Sequence, residues 1–396
     1  MDDIKRVQLS EIAELITKGT TPTTLGYEFQ DNGINFLKIE CFDEKGDFIK
    51  DKVTHISEEC HEKLKRSQLK DGDILFSIAG AIGQVAIVTE EMLPANTNQA
   101  LAIIRISDEE VYLPYIKLIL TSPIVKEQFE KKKQGVAQLN LSLKDINEIS
   151  IPLPNREKQI ELTKLFEKVA GVIAKRNKEI KSLDDLIKAR FVELFGDPVD
   201  NPMGWTTKQL QELVTDDCTI SYGIVQTGDD QDDGVPVFRP VDIVNRVPVR
   251  SELKKTTQEI SNKYKRTILK GREMLITVRA NIADTFVVGE EFAGCNVGRG
   301  IVPIRTKENE MILEFLKYQI DSKHLNDNIK ALAKGITLIQ LNMEDLREVT
   351  LIVPPIEKQK SFVEFAKQVD KSKVAVQKAL DETQLLFDSL MQKYFG

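Results

Sequence analysis

Two stretches of the chain carry apolar residues in alternating steps of three and four, a spacing typical of a long helix packed against another helix. The first stretch follows Ile151-Pro152-Leu153-Pro154 and contains one glycine, Gly171, before Pro198. Its apolar positions are Leu162, Phe166, Val169, Ile173, Ile180, Leu183, Ile187 and Leu194. The second stretch repeats this register at Phe362, Ala366, Val369, Val376, Leu380, Phe387, Leu390 and Tyr394. Polar residues interrupt both stripes at Arg176, Arg190, Lys373 and Thr383.

Neither stripe can be buried by its own helix, and the nearest complementary stripe is the other copy. The segment between them, Asp197-Pro198-Val199-Asp200-Asn201-Pro202-Met203-Gly204, is rich in turn residues and leads into a second globular region. We therefore expect the two long helices to pair within the chain and to run antiparallel.

The helices belong to a longer repetition, because the sequence matches itself after a shift of 200 positions. Glu157-Lys158-Gln159 returns as Glu357-Lys358-Gln359, and Phe195-Gly196 returns as Phe395-Gly396. The same offset joins Leu75 to Leu275, Asn96 to Asn296, Arg105 to Arg305, Gly135 to Gly335, Asp145 to Asp345 and Pro154 to Pro354. Solenoid repeats are only about 20 to 50 residues long, so each copy is a domain with its connector. A pseudo-two-fold relation between two similar domains follows.

Each copy shows mixed helix and strand patterns, which predict an α+β fold. A short amphipathic helix is expected at residues 7–12 and 208–213. Strand-like runs are residues 33–38, 73–77, 87–88 and 101–105 in copy one and 234–239, 273–277, 287–288 and 301–305 in copy two. A helix is expected at residues 113–120 and 313–320, before a turn at Gly135 and Gly335. The predicted domains are residues 1–150 and 197–350, and the predicted spacer helices lie in residues 151–196 and 351–396.

Bulk composition is that of a globular chain, with 41% hydrophobic residues over 396 positions. The start lacks the pattern of a signal peptide, and apolar runs are too short to span a bilayer, which predicts a cytoplasmic location. The net charge of −7 has the wrong sign for a protein that coats DNA non-specifically. Any contact with nucleic acid must therefore come from local basic clusters.

Catalytic signatures are missing from the sequence, which contains neither a Walker A loop nor a G-x-S-x-G, H-E-x-x-H or paired CxxC motif. With three histidines and none near an obvious nucleophile, the chain is expected to be non-catalytic and to bind no metal. Cys60-His61 with Cys41 and His55 nearby is an alternative zinc cluster, but its spacing fits no familiar site. Single thiols are the favoured interpretation of these cysteines and of Cys218 and Cys295.

Basic residues recur at matching positions in the two copies. Lys63, Lys65, Arg66 and Lys70 fall at the same offset as Lys263, Lys265, Arg266 and Lys270. A solvated helix face is the ordinary explanation of a lysine run, but four matched positions in diverged copies favour contact with a phosphate backbone. The tract Lys131-Lys132-Lys133 has no counterpart and is interpreted as ordinary surface.

Polar loop residues also fall at matching places, but with different identities. Residues 77–83 correspond to residues 277–283, and residues 96–99 correspond to residues 296–299. Arginine, asparagine and glutamine read guanine and adenine edges, and glycine allows close approach. The predicted base-reading residues are Ser77, Gly80, Asn98, Gln99, Arg239, Arg279, Asn281 and Arg299. The alternative is that they are turn residues that cap strands.

Each copy contains a matching run before its long helix: Leu143-x-x-Ile146-x-x-Ile149-x-Ile151-Pro152-Leu153-Pro154 followed by Gln159 in copy one, and its counterpart from Met343 to Gln359 in copy two. Copy one also contains Gly72-Asp73-Ile74-Leu75-Phe76-Ser77. These motifs resemble the specificity (S) subunit of Type I restriction-modification systems. The likeness covers the whole chain. Copy two departs from the pattern at Arg272-Glu273-Met274-Leu275 and at Ile352.

The resemblance implies a DNA-reading subunit with two target-recognition domains for the two halves of an asymmetric, bipartite site. It implies double-stranded DNA, two modification (methyltransferase) subunits and restriction subunits as partners, with S-adenosylmethionine, ATP and Mg2+ belonging to those partners. Two other classes stay open at this point. A coiled-coil scaffold would keep the heptads without binding DNA, and a stand-alone methyltransferase or nuclease would need a cofactor site.

Overall fold

The structure, a computed structural model, describes residues 5–43, 45–130, 140–244, 248–335 and 339–395. The chain divides into two compact units. Unit 1 consists of Met1–Arg176 with Ala379–Gly396, and unit 2 consists of Asn177–Lys378. Both divisions fall inside the long helices, so each unit contains the beginning of one long helix and the end of the other.

Unit 1 contains most elements of the first sequence copy. Its strands are β1 (Arg6–Gln8), β2 (Leu15–Lys18), β3 (Ile34–Leu37), β4 (Thr54–Ile56), β5 (Ile74–Ser77), β6 (Val85–Ile87), β7 (Ala95–Thr97), β8 (Leu101–Arg105) and β9 (Ser150–Pro152). Its helices are α1 (Leu9–Ile12), α2 (Glu58–Lys63), α3 (Leu113–Leu120), α4 (Pro123–Glu130), α5 (Leu143–Asn147) and the first part of α6 (Arg156–Phe195).

Unit 2 contains the matching elements of the second copy. Its strands are β10 (Thr207–Gln209), β11 (Val235–Phe238), β12 (Lys255–Thr256), β13 (Met274–Thr277), β14 (Thr285–Val287), β15 (Asn296–Val297), β16 (Ile301–Ile304) and β17 (Thr350–Ile352). Its helices are α7 (Leu210–Leu213), α8 (Pro240–Ile243), α9 (Gln258–Lys263), α10 (Leu313–Ile320), α11 (Lys323–Ala331), α12 (Met343–Arg347) and the first part of α13 (Ile356–Phe395).

The two units share their sheet topology except for strand β2, an edge strand of unit 1 that has no counterpart among the described strands of unit 2. The combination of helices and sheets confirms the mixed α+β prediction. In unit 1 the sheets have the strand orders β2-β8-β5-β6, β4-β3-β7 and β1-β9. In unit 2 the corresponding orders are β14-β13-β16, β12-β11-β15 and β10-β17. The pairs β3-β7 and β11-β15 are parallel, whereas the other strand pairs of these sheets are antiparallel. The repeated sequence therefore encodes the same fold twice.

The opening segment of each copy differs from the expected amphipathic helix. Residues 7–8 and 208–209 are strands, and the helices α1 and α7 begin only after them. Val7 pairs with Ile151, and Lys208 pairs with Leu351, in antiparallel ladders. These partners lie more than a hundred residues away, so a pairing between distant segments overrides the local helical pattern.

The long helices run antiparallel within each unit, as expected. In unit 1 the ring of Phe166 lies 5.3 Å from the rings of Phe387 and Phe395. In unit 2 the ring centroids of Phe195 and Phe362 are 5.7 Å apart. Farther along the same pair, Lys373 Nζ donates to Asp184 Oδ1 at 2.5 Å.

The predicted heptad positions are all at least partly buried. The buried ones are Leu162, Phe166, Ile187, Phe362, Ala366 and Val369. The partly buried ones are Val169, Ile173, Ile180, Leu183, Leu194, Val376, Leu380, Phe387, Leu390 and Tyr394. The heptad pattern missed Phe191, Phe195, Met391 and Phe395, which are buried at the helix ends. These side chains pack in the cores of the globular regions. The apolar face at the helix ends is therefore wider than the stripe of a coiled coil.

A buried glutamine explains why Glu-Lys-Gln recurs at the start of each long helix. Gln159 accepts a hydrogen bond from Tyr112 N at 2.8 Å through its Oε1 atom. Its Nε2 atom donates to the carbonyl oxygens of Pro154 and Glu110, at 2.8 and 3.1 Å. The side chain thus ties the beginning of α6 to the loop before α3.

The matching glutamine of copy two makes the same three contacts. Gln359 Oε1 accepts from Ile312 N at 3.0 Å, and Nε2 donates to the carbonyls of Pro354 and Glu310 at 2.8 and 2.9 Å. Because amide hydrogen bonds in a buried site have no water to replace them, each glutamine fixes the angle at which its helix leaves the globular region.

A buried ion pair is a second shared anchor. In unit 1, Arg105 donates to both carboxylate oxygens of Asp73, at 2.7 and 2.6 Å. In unit 2, Arg305 Nη1 donates to Glu273 Oε1 at 2.9 Å. The departure of copy two at Glu273 therefore keeps the acid-arginine pair, although Glu273 Oε2 and Arg305 Nε are left without hydrogen-bond partners.

None of the described helices is long and apolar enough to cross a bilayer.

Replacing Gln359 with alanine leaves one buried N–H and two carbonyls without their partner. We expect the free energy of unfolding to fall by about 2 to 4 kcal/mol. Urea denaturation of the full chain, followed by circular dichroism, measures the change. The matched control is Gln368→Ala, at an exposed glutamine of the same helix, which should change the free energy by less than about 0.5 kcal/mol. Equal effects of the two substitutions would contradict an anchoring role for Gln359.

Candidate nucleic-acid interface

The two basic clusters lie on backbone that is held by a buried asparagine. Each cluster includes the end of a short helix, α2 or α9, and the 3₁₀ turn that follows it. In unit 1, Asn96 Nδ2 donates to Leu64 O at 3.1 Å and to Ser67 Oγ at 3.0 Å. In unit 2, Asn296 Nδ2 donates to Tyr264 O at 3.3 Å, and Thr267 Oγ1 donates to Asn296 Oδ1 at 2.7 Å. The repeated asparagine thus fixes the basic segment to the sheet.

The side chains of both clusters are exposed. The exposed residues are Lys63, Lys65, Arg66, Lys70, Lys263, Lys265, Arg266 and Lys270. Two of them have acidic partners. Lys263 Nζ lies 3.0 Å from Glu259, and Lys270 pairs with Asp217.

The remaining cluster residues have no ion-pair partner within the described ranges. These residues are Lys63, Lys65, Arg66, Lys70, Lys265 and Arg266. Their charge is therefore available to an anionic ligand. In the Lys270 pair, the hydrogen bond from the ammonium lowers the pKa of Asp217 to about 2, so this carboxylate stays ionised near neutral pH.

Strand β7 in unit 1 and strand β15 in unit 2 connect the basic segment to the loops that carry the predicted base-reading residues. We call residues 77–83 with 97–100, and residues 277–283 with 297–300, the reading loops of the two units. In unit 1, Ile78 N donates to Ala100 O at 2.8 Å, and in unit 2, Val278 N donates to Gly300 O at 2.8 Å. The same backbone hydrogen bond thus places the two reading loops of each unit side by side.

A close backbone crossing supports each pair of reading loops. A Cβ atom on Gly19 would lie 1.9 Å from Thr97 O, and one on Gly223 would lie 2.0 Å from Val297 O. Only glycine fits at such a distance, because a side chain would overlap the carbonyl. The polar loops at residues 18–24 and 221–228 therefore run against the reading loops in both units.

The reading loops of unit 1 present a mixture of available and structural groups. Gly80 is exposed with φ of 73°, and Gln99 is exposed and accepts a hydrogen bond from Thr21. Asn98 Oδ1 accepts from Ala100 N at 3.0 Å, so this side chain caps the turn.

The structure corrects the prediction that Ser77 contacts a base. Its side chain is 0% exposed and donates to Ala79 O at 3.0 Å, so it is not available to a base edge. The position is the last residue of β5, whose outward and inward faces are both covered.

The reading loops of unit 2 carry more cationic groups. Asn281 and Arg299 are exposed, and no hydrogen bond from either side chain is found among the described residues. Arg279 is half-buried and donates through Nε to Gln340 Oε1 at 2.6 Å. The sequence reasoning missed Gln340, which has no counterpart signal in copy one, where Asn140 occupies the position.

Arg239 has a structural partner that the sequence did not reveal. Its Nε and Nη2 atoms donate to the buried carboxylate of Asp242 at 3.1 and 3.0 Å. This hydrogen bond raises the pKa of the Arg239 guanidinium. The pair occupies the fork with which arginine reads guanine, so bidentate readout by Arg239 would require breaking it.

The zinc alternative is not supported by the geometry. Cys41 and Cys60 lie in different hydrophobic cores, and His61 Nδ1 is hydrogen-bonded to Asn96. Burial raises the pKa of all four thiols, which disfavours the thiolate that zinc requires. The cysteines are therefore core residues.

One group of metal-ligand residues occurs in the described part of the chain. Asp197, Asp200 and His324 place ligand atoms within 4.8 Å of one another. The contacts are loose, with His324 Nδ1 at 3.4 Å from Asp197 and 3.9 Å from Asp200. Exposed acidic groups are common without a metal, so these loose contacts do not indicate a metal site.

A cavity of about 750 Å³ in unit 2 is lined by α10, α13 and the end of α6. Two ion pairs lie in its lining: Lys367 lies 2.9 Å from Glu314, and Lys317 lies 2.5 Å from Asp321. Lys131, Lys132 and Lys133 lie outside the described residues.

The sequence matches a family model described as the Type I restriction modification DNA specificity domain, over residues 1–183 and again over residues 202–383. The type I restriction enzyme EcoBI specificity subunit of Escherichia coli is 26% identical over 247 residues, which are 61% of this chain and half (50%) of that protein's length. The putative type I restriction enzyme MjaX specificity subunit of Methanocaldococcus jannaschii is 24% identical over 389 residues, 92% of this chain and 86% of that protein.

Solved structures show the same fold. A chain from a study of complex assembly and conformational transition in the type I R-M system superposes with a TM-score of 0.64 at 20% identity and covers 98% of this chain and 95% of that chain. The S subunit of the Type I restriction-modification system from M. genitalium gives a TM-score of 0.53 at 13% identity and covers 100% of this chain and 97% of that chain. Both likenesses concern the fold alone.

Removing two unpaired basic residues tests phosphate contact. We expect Lys265→Ala with Arg266→Ala to weaken binding of every duplex alike and to reduce the slope of log K against log salt by about 0.9 for each lost contact. Fluorescence anisotropy with duplex DNA at several salt concentrations measures the slope. The control is Lys371→Ala with Lys378→Ala, which removes the same charge from exposed positions of α13. An unchanged slope in the first variant would show that the cluster is only a solvated surface.

Proposed function

Because the chain belongs to the Type I restriction modification DNA specificity family, we propose that it reads a bipartite site in double-stranded DNA as the specificity subunit of such a system. Each globular region serves as one target-recognition domain, over residues 1–150 and 197–350. The domain in unit 1 recognises one half-site, and the domain in unit 2 recognises the other. The long helices, within residues 151–196 and 351–396, act as the spacer between the two domains.

The observation that carries this proposal is the contrast between conserved scaffold contacts and different loop tips in the two copies. The buried glutamine, the acid-arginine pair and the asparagine that holds the basic segment recur in both units. The reading loops differ at corresponding sequence positions, where copy one has Ala79 and Gly80 and copy two has Arg279 and Ala280. Two equivalent scaffolds with different tips read two different sequences, so the combined site is asymmetric.

Affinity and specificity come from different parts of each domain. The matched basic clusters supply phosphate contacts, which position the protein without regard to sequence. The reading loops supply contacts to base edges. The overall charge of −7 confines DNA binding to the basic surfaces and reduces attraction to DNA elsewhere on the protein.

Catalysis belongs to other subunits in this proposal. The chain docks two modification (methyltransferase) subunits and, through the larger assembly, restriction subunits. S-adenosylmethionine, ATP and Mg2+ bind to those partners.

Exposed apolar side chains on the long helices support a docking role. They are Val172, Leu385 and Leu386 in unit 1 and Leu186, Val192 and Val374 in unit 2. Contiguous apolar patches are typical of surfaces that another protein covers, and we propose that these side chains contribute to such a surface. A coiled-coil scaffold that does not bind DNA would use the same surface. The test must therefore measure DNA sequence recognition directly.

Methylome sequencing tests the function. Cells that express the chain with its modification subunits should contain one bipartite motif with methylated adenine in both halves, and deletion of the chain should remove methylation at that motif. The deletion strain supplied with the wild-type chain is the control and should regain the motif. Methylation that is unaffected by deletion, while the chain is expressed and folded, would favour the scaffold class instead.

A further inference from the structure

Arg279 has one end of its guanidinium held and the other end open. Its Nε atom donates to Gln340 Oε1 at 2.6 Å. Within the described ranges, Nη1 and Nη2 have no hydrogen-bond or ion-pair partner. An arginine in this state has a fixed direction and two unused donor groups.

Gln340 is itself held from two sides. Its side-chain Nε2 donates to the hydroxyl of Tyr222. Its backbone exchanges hydrogen bonds with Lys334, at 2.9 Å from Lys334 N to Gln340 O and 3.0 Å in the other direction. The next residue, Leu341, donates through its backbone N to Val278 O at 3.0 Å. Gln340 is therefore a firm support for the side chain that it contacts.

Other arginines of unit 2 contrast with Arg279. Arg239 and Arg305 each donate to a buried carboxylate, which balances the charge of the guanidinium. Arg299 is exposed, and its side chain has no hydrogen-bond partner among the described residues. Among the described arginines of unit 2, Arg279 alone combines an Nε held by a side-chain amide with two free Nη groups. Because an amide is neutral, the contact with Gln340 does not balance the positive charge of Arg279.

A pair of free Nη groups fits two acceptors side by side, which are found on the O6 and N7 atoms of guanine and on a phosphate group. The difference between the two copies at this position favours guanine over phosphate. The phosphate-contact candidates recur in both copies, whereas copy one has Ala79 where copy two has Arg279. A residue that differs between the two readers fits a contact that distinguishes their sequences.

We propose, on the basis of the proposed function, that Arg279 reads a guanine in the half-site recognised by unit 2 and that Gln340 is the positioning residue for this contact. Gln340, itself hydrogen-bonded to Tyr222, holds the Nε atom of Arg279. The Nη1 and Nη2 atoms of Arg279 therefore donate to the guanine. The half-site of unit 1 has no equivalent contact from position 79.

Arg279→Ala should change one position of one half-site. The methylated motif should relax from guanine to any base at that position, and the half-site of unit 1 should stay intact. On duplexes that differ only at this position, the preference for guanine should fall by about 5- to 150-fold. Arg279→Lys should lose the preference as well, because an ammonium cannot form the fork.

Gln340→Ala should relax the same position and no other, with a smaller loss of preference than Arg279→Ala. A merely structural role for Gln340 would instead lower activity on both half-sites together. Lys371→Ala, which removes one exposed charge from α13, is the control and should leave the motif unchanged.

The two acceptors give different results. If Arg279→Ala weakens binding to all duplexes alike and flattens the salt slope by about 0.9, the residue contacts phosphate and the guanine proposal is overturned. An unchanged motif with Arg279→Ala also overturns it. If the wild-type complex with its modification subunits shows no sequence preference at all, the proposed function itself has failed, and that outcome is separate from the behaviour of Arg279.

Discussion

The fold depends on the fact that each long helix ends in a different core from the one in which it begins. Helix α6 starts in unit 1, where Phe166 packs on the end of α13, and finishes in unit 2, where Phe195 packs on Phe315 at 4.9 Å between ring centroids. Helix α13 follows the opposite course and delivers Phe395 to unit 1. Neither sequence copy therefore contains all the apolar side chains of its own core, and the two copies must fold together.

This constraint separates the parts of each copy that must stay the same from those that can change. The helix ends, Gln159 and Gln359, and the strand pairs beside them fix the base of each globular region. The reading loops combine buried positions with exposed ones, and the exposed ones include Gly80, Gln99, Asn281 and Arg299. Substitutions such as Ala79 against Arg279 alter chemistry there without disturbing the shared contacts.

The sequence predicted the long helices, their antiparallel pairing and helices α3 and α10, because these depend on strong periodic patterns and on the 200-residue offset. It did not predict that Val7 and Lys208 lie in strands, since their partners are distant in the chain. It placed the buried Ser77 among base readers because residue type alone does not report burial, and it did not reveal that Arg239 has a carboxylate partner. Gln340 went unnoticed because a single polar residue in a loop has no sequence signal.

The most direct test exchanges one recognition region for the other. The joints are equivalent, since Leu9 N donates to Ile149 O and Leu210 N donates to Val349 O, both at 2.9 Å. Residues 9–149 can therefore be replaced by residues 210–349, and the methylated motif of the resulting complex can be sequenced. The account predicts that the half-site of unit 2 appears twice, in inverted orientation. A folded chimaera that still methylates the parental asymmetric motif would contradict it.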